Sequence, residues 1–252
     1  MSKTIFTLMI AAAALNMYAQ NAPLQTIETK NGNLQIQPVT HATFVMTYNN
    51  KTFYVDPTGG PSAFTGMAKP DVIVITDIHG DHCDPKTIDS IKTSNTIFIV
   101  PKAVAALLTG VDPSKLVILN NGEKTEKEGV SITAIPMYNL PENSESRHTK
   151  GRGNGYVINF GGKNVYISGD TEDIPEMRHL KNIDVAFVCM NLPYTMDINQ
   201  AASAVLEFKP KIVYPYHYRG QGGLADVDAF KKLVNEGNKN IDVRLVNWYP
   251  SK

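Results

Sequence analysis

Residues 76–84 read Thr-Asp-Ile-His-Gly-Asp-His-Cys-Asp, and Asp77, His79, Asp81 and His82 are all side chains that bind divalent metals. They follow Val72–Thr76, a near-continuous β-branched run that predicts a strand covered on both faces. Side chains two apart on a strand share a face, so Asp77 and His79 point the same way if extended geometry persists. Gly80 permits the sharp turn that would swing Asp81 and His82 into the same pocket. A lone His beside an Asp is ordinary structural chemistry. Two of each at the end of a buried strand point to a metal. This one segment cannot close two metal sites, so later residues must join it. The chain has six histidines, at 41, 79, 82, 148, 179 and 217. His148 lies in a long polar loop. Asp170 and His217 each follow a predicted strand, where the functional side chains of layered folds converge.

The elements that must position these residues are short apolar strands with turns between them. Leu34–Val39, Thr43–Tyr48 and Thr52–Val55 predict a meander, with Asn49-Asn50 turning the second hairpin because Asn tolerates positive φ. After Val72–Thr76, Asp84 can cap a helix whose first turn holds Pro85. Strand Thr96–Val100, helix Lys102–Leu108, and strands Leu116–Leu119 and Val130–Ile135 follow. A polar loop runs from Tyr138 to Asn154, then a hairpin of Tyr156–Phe160 and Asn164–Ser168 turns at Gly161-Gly162. Strand Val185–Met190, helix Asn199–Phe208, strand Ile212–Tyr216, helix Val227–Glu236 and strand Val243–Val246 complete the chain. Meander plus β/α units, twice over, predicts two sheets face to face with helices outside. Loops as long as 138–154 inside a compact domain tend to be functional.

Composition excludes several classes. With 24 basic and 24 acidic residues among 252, the formal charge is zero, which argues against nucleic acid as a partner. Two cysteines cannot make a disulfide scaffold, and Cys83 and Cys189 read as buried thiols. Residues 1–20 carry one charge, Lys3, then an apolar stretch from Ile5 to Leu15 ending in small residues. That layout predicts a secretory signal peptide, a single domain over 21–252, and a bacterial periplasmic or secreted location. No integral membrane segment is expected after cleavage, because no apolar run reaches the length of a span. His179, set among charges, reads as a solvated helix residue.

The constellation resembles the metallo-β-lactamase-fold hydrolase superfamily, and within it the branch of ascorbate-6-phosphate lactonases and N-acyl phosphatidylethanolamine phosphodiesterases. The superfamily's His-x-His-x-Asp-His, later His, Gly-Asp-Thr and final His match residues 77–82, His148, Gly169-Asp170-Thr171 and His217. His41-Ala42, Val55-Asp56-Pro57 and the segment from Glu172 to Met177 also look like this branch, and the likeness spans about residues 34 to 219. It implies an α/β fold, a four-layer αββα sandwich of two mixed β-sheets with helices outside and a metal site at one edge. Carried over, one metal takes position 77, His79 and His148; the other takes Asp81, His82 and His217; Asp170 bridges them. Asp77 departs from the pattern, which has His there. A carboxylate makes that site harder and more anionic, favouring Mn²⁺ or Fe²⁺ more than an all-His site would, or weakens it. One or two divalent metals are therefore expected, zinc first and manganese or iron next, and Asp77→His is expected to raise zinc affinity.

The resemblance further implies a hydrolase using a metal-bound hydroxide on an ester-type bond, phosphodiester or lactone ahead of β-lactam. Asp81 would orient the hydroxide as the catalytic carboxylate. His41, Asn139 and Arg147 are candidates to bind substrate, a small-molecule or lipid-like anion. Arg147, Lys150 and Arg152 flank His148 with no acid among them and could receive a phosphate or carboxylate. Tyr194, Tyr216 and Tyr218 could line the pocket. The competing reading is a metal or ligand binder that keeps the fold without catalysis. Oligomeric state is not read from the sequence.

Overall fold

The computed structural model describes residues 22–249, so the leader read at 1–20 lies outside the described residues. Strands β1 (Gln25–Thr29), β2 (Gly32–Thr40), β3 (Thr43–Tyr48) and β4 (Lys51–Val55) form an antiparallel meander. Asn49 and Asn50 make its last turn at φ 48° and 59°. Strand β5 (Val72–Val74), helix α1 (Pro85–Ile91), strand β6 (Ile97–Val100), helix α2 (Lys102–Ala105) and strand β7 (Leu116–Ile118) continue the sheet, the strands now parallel to β4.

The second half repeats the scheme. Strands β8 (Lys124–Lys127), β9 (Val130–Met137), β10 (Gly153–Phe160) and β11 (Lys163–Ile167) are antiparallel. Helix α3 (Pro175–Arg178), strand β12 (Val185–Cys189), helix α4 (Ile198–Phe208) and strand β13 (Ile212–Tyr216) follow. A small hairpin of β14 (Arg219–Gly220) and β15 (Gly223–Leu224), helix α5 (Val227–Gly237) and strand β16 (Asp242–Val243) close the chain. Strands β11, β12, β13 and β16 are parallel neighbours. Each sheet has seven strands, half meander and half parallel.

The two-residue alternation of strand side chains explains the four layers. Val72 and Val74 on β5 face the core between the sheets, while Ile73 and Ile75 face α1 and α2 on the outside. Phe44 and Met46 on β3 point inward and Val45 outward. Between the sheets Phe44 stacks on Phe187 with ring centroids 4.3 Å apart. On the far face of the second sheet, α4 and α5 bury Val205, Phe208, Phe230 and Val234. Helix α4 starts with a reciprocal capping box between Asp197 and Gln200. No described helix is long and apolar enough to cross a membrane.

Several expectations shift in detail. The strands β1 and β8 were not expected: Gln-Thr-Ile-Glu-Thr and Lys-Thr-Glu-Lys show almost no apolar alternation, as suits the outer strands of a sheet. The polar loop ends early, because Gly153 and Asn154 already pair with Met137 and Pro136. Helix 102–108 is a single α-turn, and strand 243–246 shrinks to Asp242–Val243. His179 caps α3 and is exposed, in line with a solvated role.

Candidate metal centre

The parallel strands deliver the site. Asp56 follows β4, the segment 77–82 follows β5, Asp170 follows β11 and His217 follows β13, all at carboxyl ends of strands. His41 turns β2 into β3, and His148 lies in the loop before β10. His41, Asp56 and His217 have φ of 54°, 44° and 47°, conformations that cost side-chain-bearing residues energy and concentrate at functional sites.

These residues form three groups, in each of which the ligand-type atoms lie within 4.8 Å of one another: Asp77, His79 and His148; His82, Asp170 and His217; and His41, Asp81 and His217, the last two sharing His217. Asp170 sits between the first two. Its Oδ2 is 3.1 Å from His148 Nε2 and 3.3 Å from His82 Nε2, and its Oδ1 is 3.2 Å from His217 Nε2. His217 Nε2 and His82 Nε2 face each other at 3.0 Å. The seven residues of the 77–217 ligand set thus converge, and Asp81 reaches His217 at 3.5 Å.

Buried groups behind the histidines fix which nitrogen faces the centre. His82 Nδ1 lies 2.8 Å from Asp56 Oδ2, and Thr76 donates to the same carboxylate through its backbone N–H and its hydroxyl, each at 2.7 Å. Nδ1 therefore carries the proton and Nε2 presents its lone pair. His148 Nδ1 lies 3.1 Å from Asn139 Oδ1, which also accepts the His148 backbone N–H at 2.8 Å. The Asn139 amide is held in turn by Glu172 and the Tyr194 carbonyl. Among the described residues, His79 Nδ1, His148 Nε2 and Asp170 Oδ1 are buried in the cluster without an aligned hydrogen-bond partner; His217 presents Nε2 to the centre. His79 Nδ1 lies 2.7 Å from Asp77 Oδ2, close but not aligned. Buried, crowded and misaligned donor and acceptor atoms are what a shared cation would satisfy. The residues present fit a divalent metal.

The electrostatics agree. Burial would push the Asp170 carboxyl up, but the imidazoles of His217, His82 and His148 hold it well below its usual range. Burial opposes ionisation of Asp81 as well, and hydrogen bonds from His217 and His41 outweigh it. Both are carboxylates at neutral pH. Burial pushes the Cys83 thiol up to about 12 and Cys189 to about 11, as buried inert thiols require.

A cavity of about 460 Å³ opens over the centre. Its lining includes His41, Asp81 and Asp170 together with exposed Arg147 and Arg219 and half-buried Tyr194. Arg147 stacks on Tyr194 at 4.4 Å and Arg219 on Tyr249 at 4.1 Å, and neither forms an ion pair among the described residues. His41 lies 3.2 Å from Asp81 Oδ2 and 2.7 Å from the Tyr249 hydroxyl.

Other expectations need correction. Asn139 does not line the cavity; it is nearly buried and positions His148. Arg152 does not face substrate; it donates to both oxygens of buried Asp77 at 3.1 and 3.0 Å. Lys150 pairs with Glu176 at 2.9 Å. Tyr216 and Tyr218 are buried, and the Tyr216 hydroxyl accepts the Gly169 N–H, bracing the turn that carries Asp170. Asp56 and Arg219 were missed as site residues. A carboxylate ending the apolar strand Phe-Tyr-Val-Asp was a readable signal for the first; nothing local marked Arg219.

The sequence profile of the beta-lactamase superfamily domain matches residues 35–217. The UPF0173 metal-dependent hydrolase of Pyrococcus abyssi is 32% identical over 217 residues, covering 80% of this chain and 92% of its own. Its counterpart in Thermococcus onnurineus is 33% identical over 208 residues, covering 78% and 90%. A crystal structure from Parabacteroides distasonis, named as a metal-dependent hydrolase, superposes with a TM-score of 0.79 at 38% identity, covering 89% of this chain and 98% of that one. Profile, curated relatives and solved fold agree with the site geometry, and the chain belongs to the beta-lactamase superfamily, among its UPF0173 metal-dependent hydrolases.

Proposed function

We propose that this metal-dependent hydrolase cleaves an ester-type bond, phosphodiester or lactone, in a small anionic substrate, after export to the periplasm or exterior. The observation that carries the substrate reading is the cavity lining: two guanidiniums, stacked on tyrosines and without carboxylate partners among the described residues, share the cavity with Asp81, His41 and Asp170. A stacked, unpaired guanidinium is pre-organised for a phosphate or carboxylate. The charged leader pattern of residues 1–20 supports export.

Asp77, His79 and His148 would hold one divalent ion, and Asp81 and His82, both against His217, would join it in holding a second, with Asp170 shared; zinc suits the imidazoles, manganese or iron the carboxylates. Such ions supply Lewis acidity and acidify water to near-neutral pKa. The chain's own groups do the rest. Arg147 and Arg219 anchor the substrate's anion. Asp81, ionised and 43% exposed toward the cavity, accepts a hydrogen bond from the attacking water and aligns it. His41, braced by Tyr249, holds Asp81 in that orientation.

The test is hydrolysis of bis-p-nitrophenyl phosphate, a simple lactone and a β-lactam by protein loaded with Zn²⁺ or Mn²⁺. Turnover of the phosphodiester or lactone is expected, lost in His82→Ala; Arg219→Met should raise KM roughly tenfold with less effect on kcat. Inertness of every metal form toward all three would sink the reading and leave a metal binder. N-terminal sequencing of exported protein should find a start close after residue 20.

A further inference from the structure

We propose that Arg152 is the fixed counter-charge of the first metal site, making Asp77 and Arg152 together a neutral ligand unit equivalent to the histidine otherwise found at position 77. The proposal deepens the metal-centre reading and rests on it. Asp77 is fully buried, and a buried carboxylate needs compensation. Arg152 provides it as a two-point fork, Nε to Oδ1 and Nη2 to Oδ2. Oδ2 nevertheless remains 2.7 Å from His79 Nδ1 and within the group shared with His148, so the pairing does not remove Asp77 from the site.

The placement is built into the backbone. Arg152 immediately precedes β10, whose first residues press on the segment that ends in Asp77. Asn154 N–H donates to the Thr76 carbonyl at 2.9 Å. A Cβ on Gly153 would lie 2.8 Å from that same carbonyl oxygen and 2.7 Å from the Met137 methyl, so only glycine allows the approach. Gly153-Asn154 is thereby held against Thr76, which sets the Arg152 backbone beside Asp77, where its guanidinium forks onto the carboxylate.

The charge consequence is concrete. Three carboxylates, Asp77, Asp81 and Asp170, gather among the imidazoles. With Arg152 the cluster carries the charge of two. This reverses the expectation for Asp77→His. A histidine there would face an unpaired guanidinium beside the metal, so zinc affinity should fall rather than rise.

The experiment compares wild type, D77H, R152M and D77H/R152M for zinc and manganese content by elemental analysis, affinity by competition with a chromogenic chelator, and metal-induced gain in Tm. D77H should lose first-site affinity by roughly tenfold or more, and the double variant should recover it. R152M alone leaves an uncompensated buried carboxylate, so its Tm should be lower without metal and gain more on metal addition than wild type. This second readout stands if D77H fails to fold. Wild-type protein that takes up neither metal overturns the metal-centre reading and this proposal together. Metal-binding wild type with D77H equally tight, or with R152M unchanged in affinity and Tm gain, overturns the role of Arg152 alone.

Discussion

At the scale of single residues, the chemistry is set by pairs in which one member touches the reaction zone and the other holds it. His82 depends on Asp56, His148 on Asn139, Asp81 on His41, and Asp77 on Arg152. Asp56 is the deepest of these holders, fully buried and gathering three donors. Asp56→Ala should lower metal affinity by about 10- to 100-fold, because His82 loses the partner that fixes its tautomer. It should also cost about 2 kcal/mol, since the Thr76 N–H is left unpaired in the interior. Metal titration and chemical denaturation of the same preparation measure both. Unchanged affinity would mean that Thr76 alone orients the ring. The motif 77–82 was legible because metal-binding side chains at such density have no other ready explanation. The holders were less legible because an Asp, an Asn or an Arg in isolation has many uses. From the sequence Asn139 and Arg152 both point to substrate; in the fold their partners are His148 and Asp77.

At the scale of elements, the parallel strands must stay in register for their ends to meet. Asp184, just before β12, does much of this. Its side chain accepts the Asn164 N–H at 2.9 Å and the Lys211 ammonium at 2.8 Å, tying the starts of β11 and β13 together. Its own carbonyl accepts the Ile212 N–H at 2.9 Å. Burial would raise its pKa, but the Lys211 hydrogen bond and the Asn164 N–H lower it below the ordinary 3.8. A carboxyl whose pKa is depressed by folding adds stability that is present at neutral pH and lost as pH falls through the folded value. Asp184→Asn should therefore lower Tm at pH 7, by the equivalent of about 1 kcal/mol since Lys211 is largely exposed. The difference from wild type should narrow below about pH 4, where the unfolded carboxyl takes up its proton. A constant difference across pH 3–7 in thermal melts would show that the carboxylate charge is irrelevant. Central strands were found from the sequence because both faces are apolar. Polar outer strands such as β8 gain their structure from pairing with β9, which no local pattern announces.

At the scale of the whole molecule, one core binds two sheets and fixes the distance across the site. Phe187 lies at its middle, stacked on Phe44 at 4.3 Å and on Tyr214 at 5.1 Å. The first sheet carries the 77–82 segment and the second carries Asp170 and His217, so the centre exists only while the sheets are packed. Phe187→Ala should destabilise by about 3–5 kcal/mol. Metal should stabilise the variant less than wild type, because an ion that binds the folded state alone stabilises by an amount set by its affinity, and lost packing between the sheets weakens a site built across them. Thermal melts with and without zinc would check this. An equal metal-induced gain in variant and wild type would mean that metal affinity does not depend on this core packing, and would remove the coupling argument.

By itself the sequence determined the two-sheet layered architecture and the identity of the ligand-type residues. Apolar periodicity is a local property, and so is the density of His and Asp after a strand. It also placed Arg147 beside the site. Only the tertiary structure decided which basic residue serves which purpose. Within six positions Arg147 faces a cavity, Lys150 binds Glu176 and Arg152 neutralises Asp77. A long cationic side chain takes its role from whichever anion lies within reach after folding. For Arg152 that anion is 75 residues away in the chain and about 3 Å away in space.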